Sequence, residues 1–209
     1  NLTLVPPGLT IKGMCEKRGN CGADNGKLLC NIAWYEAEEF FATETTGQDW
    51  DWLLVTNKVI PNSAGQNYVE QTATISDYLT KVVFANRELP SVYRQAVVEF
   101  EEKQDILTKL INDDWQEAAK QLAGLAINRL LRGTPAVTFY DLLTYLEVNG
   151  ERLLQGMYYW TPVLSSDGRL VSFGLFDRVG AGVSGWSPGS RNVSLGVILS
   201  RSARVESGR

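Results

Sequence analysis

Asp49, Trp50, Asp51 and Trp52 place two carboxylates and two indoles in four consecutive residues, the stretch of this chain with the most chemical promise. Two carboxylates about 5 to 9.5 Å apart can share the acid and base work of glycoside hydrolysis. Aromatic platforms beside acids also suit sugars, although tryptophans at i and i+2 more often anchor a core or an interface. The other neighbouring acids are blander. Glu101 and Glu102 fall on the wet face of a helix, and Asp113 and Asp114 at a turn and a cap.

All three cysteines, Cys15, Cys21 and Cys30, lie within sixteen residues. Their spacings do not form paired zinc-ligand motifs, and neither a fourth cysteine nor a histidine completes a tetrahedral set, so no metal is expected. A disulfide among them, or three reduced thiols, is the alternative. A stapled segment would point to an oxidising compartment.

Two glycine motifs fail on their context. Gly180, Gly182 and Gly185 spell the dinucleotide fingerprint, but Trp186-Ser187-Pro188-Gly189 follows where a helix must receive the pyrophosphate, so a glycine-rich loop between strands is expected and no cofactor. Gly185 to Gly189 also spells a nucleophile elbow. Pro188 lacks the N–H that the oxyanion needs, and the chain has no histidine to serve as base. The absence of histidine excludes Cys-His and H-E-x-x-H chemistry as well.

The elements that must position these residues are clearest in Ser91 to Gly133, which reads as two amphipathic helices. Tyr93, Ala96, Val97, Phe100, Leu107, Leu110 and Ile111 recur at three-to-four spacing. Glu99 with Lys103 and Asp105 with Lys109 add i, i+4 pairs worth about 0.2 to 0.5 kcal/mol each. Asp114 can cap the second helix, Arg129 and Arg132 suit its C-terminal dipole, and Gly133 suits its left-handed end. Small residues at Ala118, Ala119, Ala123, Gly124 and Ala126 allow a close helix contact.

Elsewhere, Asn31 can cap a helix to about Thr45, and Trp50 to Ile60 is either helix or buried strand. Ser63 and Gln66 form a capping box for a helix to about Asn86, with Ile75, Leu79 and Val82 on its apolar stripe. Thr138 caps a helix from Phe139 to about Val148. Met157 to Leu164 and Leu170 to Val179 make a hairpin around Ser166 to Gly168, and Val193, Leu195, Val197 and Leu199 alternate as a third strand.

With 209 residues, 44% hydrophobic content and 21% charged, the chain can bury a real core. A net charge of −4 and a pI near 5.0 argue against a nucleic-acid partner. Charge is uneven, with acids alone between Trp34 and Trp52 and six arginines from Arg169 onward. The longest uncharged run, Leu153 to Ser166, is too short to span a bilayer. The start at Asn1 reads as a processed or trimmed chain.

The expected fold is α+β and predominantly α. Residues 1–30 form a loop-rich arm, 31–156 a helical body, and 157–209 a small antiparallel hairpin or meander with a basic tail, together one structural domain. The leading expectation for function is a non-catalytic structural or interaction subunit of a larger assembly, peripheral to a membrane and exported or organelle-imported. It would meet a protein partner through residues such as Trp186, Arg201 and Arg204. The alternatives are a ligand or carbohydrate binder or a carboxylate hydrolase built on Asp49 and Asp51 with Trp50 and Trp52, or a secreted effector contacting its target through the Trp186 loop.

Overall fold

Alternation of buried and exposed side chains in Leu2–Val5 (β1) and Asp51–Val55 (β2) places Val5, Leu53 and Val55 inward. The two strands pair antiparallel, and Ser200–Ser202 (β3) joins the other edge of β2, closing a three-stranded sheet. The structure, a computed structural model, describes residues 1–18 and 28–203. Between β1 and β2 run Ile11–Arg18 (α1), a single 3₁₀ turn at Ile32–Trp34 and the short helix Glu39–Ala42 (α2). Asn31 does not cap a long helix here. It adopts left-handed geometry without a side-chain cap, and the helix expected to run to Thr45 is broken into these two pieces.

The helical layer follows. Tyr68–Tyr78 (α3) starts at a capping box formed by Asn67 and Glu70, not by Ser63 and Gln66. Ser63 turns its hydroxyl to the Ile60 carbonyl instead, at 2.7 Å. A π-helical turn, Leu79–Val83, extends α3. The extra residue rotates the stripe, so Val82 is 58% exposed and Val83 turns inward in its place.

Ser91–Asp113 (α4) keeps its expected stripe, and Lys103 donates to Glu99 at 2.7 Å. Asp114 caps Trp115–Gly124 (α5) through the Glu117 N–H. That helix then breaks at Leu125, and Ala126–Leu131 (α6) begins with its first N–H donated to Glu99 of α4 at 2.9 Å. Gly133 is not left-handed. It is pressed against Thr138 and Ser200, where a Cβ would meet the threonine hydroxyl at 2.9 Å. Thr134 therefore caps Pro135–Asn149 (α7), with Pro135 in the first turn, and Thr138 lies inside the helix.

The largest departure is the C-terminal region. Tyr158–Leu164 (β4) and Leu170–Asp177 (β5) form the expected hairpin, with Gly168 at φ +84° in the turn. The glycine-rich segment is a third strand, Gly180–Trp186 (β6), antiparallel to β5 and not a loop. Its glycines admit close neighbours: a Cβ at Gly182 would lie 2.4 Å from the Tyr158 hydroxyl, and one at Gly180 2.8 Å from the Leu29 backbone. Leu195–Gly196 (β7) adds a parallel edge beside β4, giving the order β6-β5-β4-β7 in these labels. The stretch expected as one strand over 193–199 thus supplies two residues to this sheet before the chain crosses to β3 of the other.

The protein is 44% helix and 20% strand, with sheets of three and four strands. This corrects the expectation of a predominantly α fold with a free N-terminal arm and a small hairpin. β1 cannot project as an arm, because it is hydrogen-bonded along β2. The four-stranded sheet separates two cores. Tyr159, Val171 and Phe173 face the first, with α7 and the inner side of the three-stranded sheet; Trp160 and Leu170 face the second, with α3 to α6. Arg132 lies buried in that second core. Its Nε donates to Asn128 at 2.9 Å, and its guanidinium sits 4.3 Å from the Tyr68 ring, so it crosslinks the core where a surface dipole contact was expected.

Candidate functional site

Strand register decides what the three-stranded sheet shows to solvent. Residues directly opposite one another in an antiparallel pair share a face, as do residues two apart in a strand. Leu2 stands opposite Leu54, Leu4 opposite Trp52, and Leu54 opposite Arg201. Leu2, Leu4, Trp52 and Leu54 therefore form one outward patch, 38% to 59% exposed, with Arg201 at its side. Trp50, just before β2, is 57% exposed. Both faces of this sheet carry apolar side chains, and among the described residues the inner one is the more closely packed. Asp49 is exposed just before β2, whereas Asp51 is half-buried opposite Val5 and so belongs to the inner face.

Two grooves flank it. Under Trp50, a space of about 450 Å³ is walled by Pro6, Pro7, Leu9 and Tyr140, with Lys17 and Arg18 at its rim. Arg18 is ion-paired with Glu147. On the other side, beyond Leu54 and Arg201, a groove of about 600 Å³ runs between the segment 55–61 and the π-helical turn. Neither groove is lined by Asp49 or Asp51. The tetrad seen in the sequence thus divides: its tryptophans join an apolar surface, and its acids do not face each other across a cleft.

Two carboxylates do share a groove elsewhere, and they are remote in sequence. Glu38 and Asp167 line a space of about 400 Å³ beside Trp34, Ser165, Ser166 and Arg169. Glu38 accepts from the Ser166 N–H at 2.8 Å and its hydroxyl at 2.7 Å. Asp167 accepts from the Ser165 hydroxyl at 2.6 Å and pairs with Arg169 at 2.8 Å, and the serine bond leads the effects that hold its carboxyl below the usual carboxylate range. A general acid needs a raised pKa, so Asp167 does not suit acid catalysis, and the bonds from Ser166 to Glu38 clamp the β4–β5 turn onto the Trp34 segment. No spacing rule links residues this far apart.

The carboxyls whose pKa does rise lie along α7. Burial raises Glu44 to about 7, while hydrogen bonds from Thr134 and the Ala136 N–H pull the other way. Burial also raises Asp141, against the Thr3 hydroxyl that donates to it at 2.6 Å. Asp141 borders a cavity of about 20 Å³ with Thr138, Tyr159 and Ser200, room for about one water molecule. No substrate fits there.

The remaining sequence candidates are dispersed. Trp186 is half-buried at the end of β6, opposite Leu170, and packs against the helical core. Arg204 and Cys21 lie outside the described residues. Cys15 is buried and disulfide-bonded, and the carbonyl of half-buried Cys30 accepts from the Tyr35 hydroxyl at 2.8 Å. Among the described residues no three metal-ligating side chains converge, and no helix is long and apolar enough to cross a membrane. No family model matches the chain, and searches of curated proteins and of solved structures likewise return no match.

Proposed function

We propose that the protein is a non-catalytic interaction subunit of a larger assembly, docking through the outer face of the three-stranded sheet. The observation that carries this reading is the outward patch of Leu2, Leu4, Trp52 and Leu54 beside Trp50. A contiguous apolar surface with aromatic residues at its centre and charges at its rim has the composition of a protein–protein contact. β1 is also an edge strand, which a partner strand can extend through main-chain hydrogen bonds. The occupant is a protein with an apolar contact surface. A polyanion is disfavoured by the net charge of −4. The disulfide at Cys15 supports an exported or organelle-imported setting, and a peripheral place on a membrane complex is consistent with these features.

The test is native mass spectrometry of the protein taken from its source, beside the double variant Trp52→Thr and Leu54→Thr, which keeps strand-forming residues while removing the apolar area. The native chain should travel in a larger complex and the variant should be released with an unchanged far-UV spectrum. A native monomer, or a variant that stays bound, overturns the reading.

A further inference from the structure

The groove between the Trp34 segment and the β4–β5 turn shares no lining residue with the docking face, and its chemistry is different. It sets one aromatic ring among groups that both donate and accept hydrogen bonds. Trp34 is 43% exposed, yet its ring is fixed: Nε1 donates to the Val183 carbonyl at 3.2 Å, and the indole packs edge-to-face with Tyr35 at 5.1 Å. An indole whose N–H is already satisfied, and nearly half of whose surface is open, presents a rigid apolar plate to solvent. At about 400 Å³ the groove lies within the range of ligand sites, roughly 300 to 1,000 Å³.

The polar groups beside this plate hold one another in place and keep bonding capacity. Glu38 stands at the N-cap of α2 but does not cap it; its carboxylate reaches across to Ser166 instead. Those bonds take two of the roughly four acceptor positions of a carboxylate. One guanidinium N–H of Arg169 pairs with Asp167 at 2.8 Å, which leaves most of the donor fork open. Gly185 lets the Arg169 stem lie against β6, since a Cβ there would come within 3.2 Å of the arginine Cβ. Asp167 and Arg169 compensate each other, and Glu38 is held by neutral donors, so the groove selects a ligand by hydrogen-bond geometry and not by an unpaired cation.

From this arrangement we infer that the groove binds a neutral carbohydrate, a β-linked pyranose oligosaccharide, with one sugar ring on the Trp34 indole and its hydroxyls bonded to Glu38, Asp167 and Arg169. A pyranose with equatorial hydroxyls has a flat face of C–H bonds, which gains by leaving water for an aromatic plate. Its rim carries neighbouring hydroxyls that each donate and accept, the match for a carboxylate beside a guanidinium. A linear polyol has the rim without the face, and an aliphatic ligand the reverse. Because the polar groups are ordered before the ligand arrives, little ordering entropy is left to lose on binding. This site does not depend on the docking reading.

The experiment is calorimetric titration of the full chain with cellotriose and with chitotriose, and with mannitol as the polyol that lacks a ring face. At least one trisaccharide should bind saturably at one molecule per chain, and mannitol should not. Trp34→Ala should weaken that binding about tenfold or more, the scale of a lost aromatic anchor. Arg169→Gln, on an exposed side chain that can be replaced without disturbing the core, should weaken it about three- to tenfold, the scale of a lost charge-assisted hydrogen bond. Trp52→Thr should bind as the native chain does. Absence of saturable binding by both trisaccharides, equal binding of mannitol, insensitivity to Arg169→Gln, or loss of binding in Trp52→Thr overturns the inference.

Discussion

The two sheets use the same kinds of residue under opposite conditions. In the four-stranded sheet, β5 is buried almost throughout because a core lies on each side of it, and Trp160 of β4 has no exposed surface. In the three-stranded sheet, β1 and β2 alternate, but the outward positions of that alternation are leucine and tryptophan. A period-two pattern conventionally means apolar inward and polar outward. Here the period is present in burial and absent in polarity. The difference teaches that the second sheet has an apolar face that stays exposed among the described residues, the face on which the proposed function rests.

The strongest test of that contrast removes one tryptophan from each sheet. Trp160→Ala should destabilise the protein by about 3 to 5 kcal/mol through lost transfer energy and a cavity, read as a shift of the urea unfolding midpoint at constant slope. An effect below about 1 kcal/mol would mean that the partition between the cores is loosely packed.

The seam between the sheets is α7, which packs against both β1 and β5 and whose N-terminal end, at Thr134 and Ala136, donates hydrogen bonds to Glu44, in the segment after α2. With burial raising its folded pKa to about 7 from an ordinary value of 4.5, this carboxyl keeps a proton that the unfolded chain releases. Its contribution to stability is therefore lost as pH rises from 4.5 to 7 and is level on either side, an effect on the order of 2 kcal/mol at most after allowance for partial exposure. Glu44→Gln should flatten unfolding free energy across that window. An unchanged pH profile would place the titrating group elsewhere.

The smallest expected effect is the counterpart of the first. Trp52→Ala should change the stability of the isolated chain by about 1 kcal/mol or less, since the side chain is half in solvent and loses little beyond its cross-strand pairing with Leu4. If it costs as much as Trp160→Ala, the outer face is packed within the chain and the contrast between the sheets fails.

Much of the helical layer was legible from residue order because its signals are local. The stripe of α4, the Glu99–Lys103 pair and the Asp114 cap all act within one or two turns, and all are present. The β4–β5 hairpin is legible for the same reason, since a short glycine turn joins strands adjacent in sequence. Of the candidate site, Trp50 and Trp52 stood out in the sequence, but the strand register that sets Trp52 beside Leu2, Leu4 and Leu54 did not. The meeting of Glu38 with Asp167 was not visible at all.

Local chemistry therefore settles the stripe of α4, the Asp114 cap and the β4–β5 turn, and the want of histidine closes the reactions that need one within this chain. Long-range pairing settles the rest. Residues 2–5, 51–55 and 200–202 form one sheet although no periodicity connects them, because loop closure across such distances leaves no mark on neighbouring residues. Arg132 reads as a surface cation until Tyr68, Asn128 and Trp160 close around it, and Gly182 reads as a loop residue until Tyr158 needs its space. Burial on both sides, or on one side alone, belongs to the assembled layers, and it is burial that makes Trp160 a core residue and leaves Trp52 half in solvent.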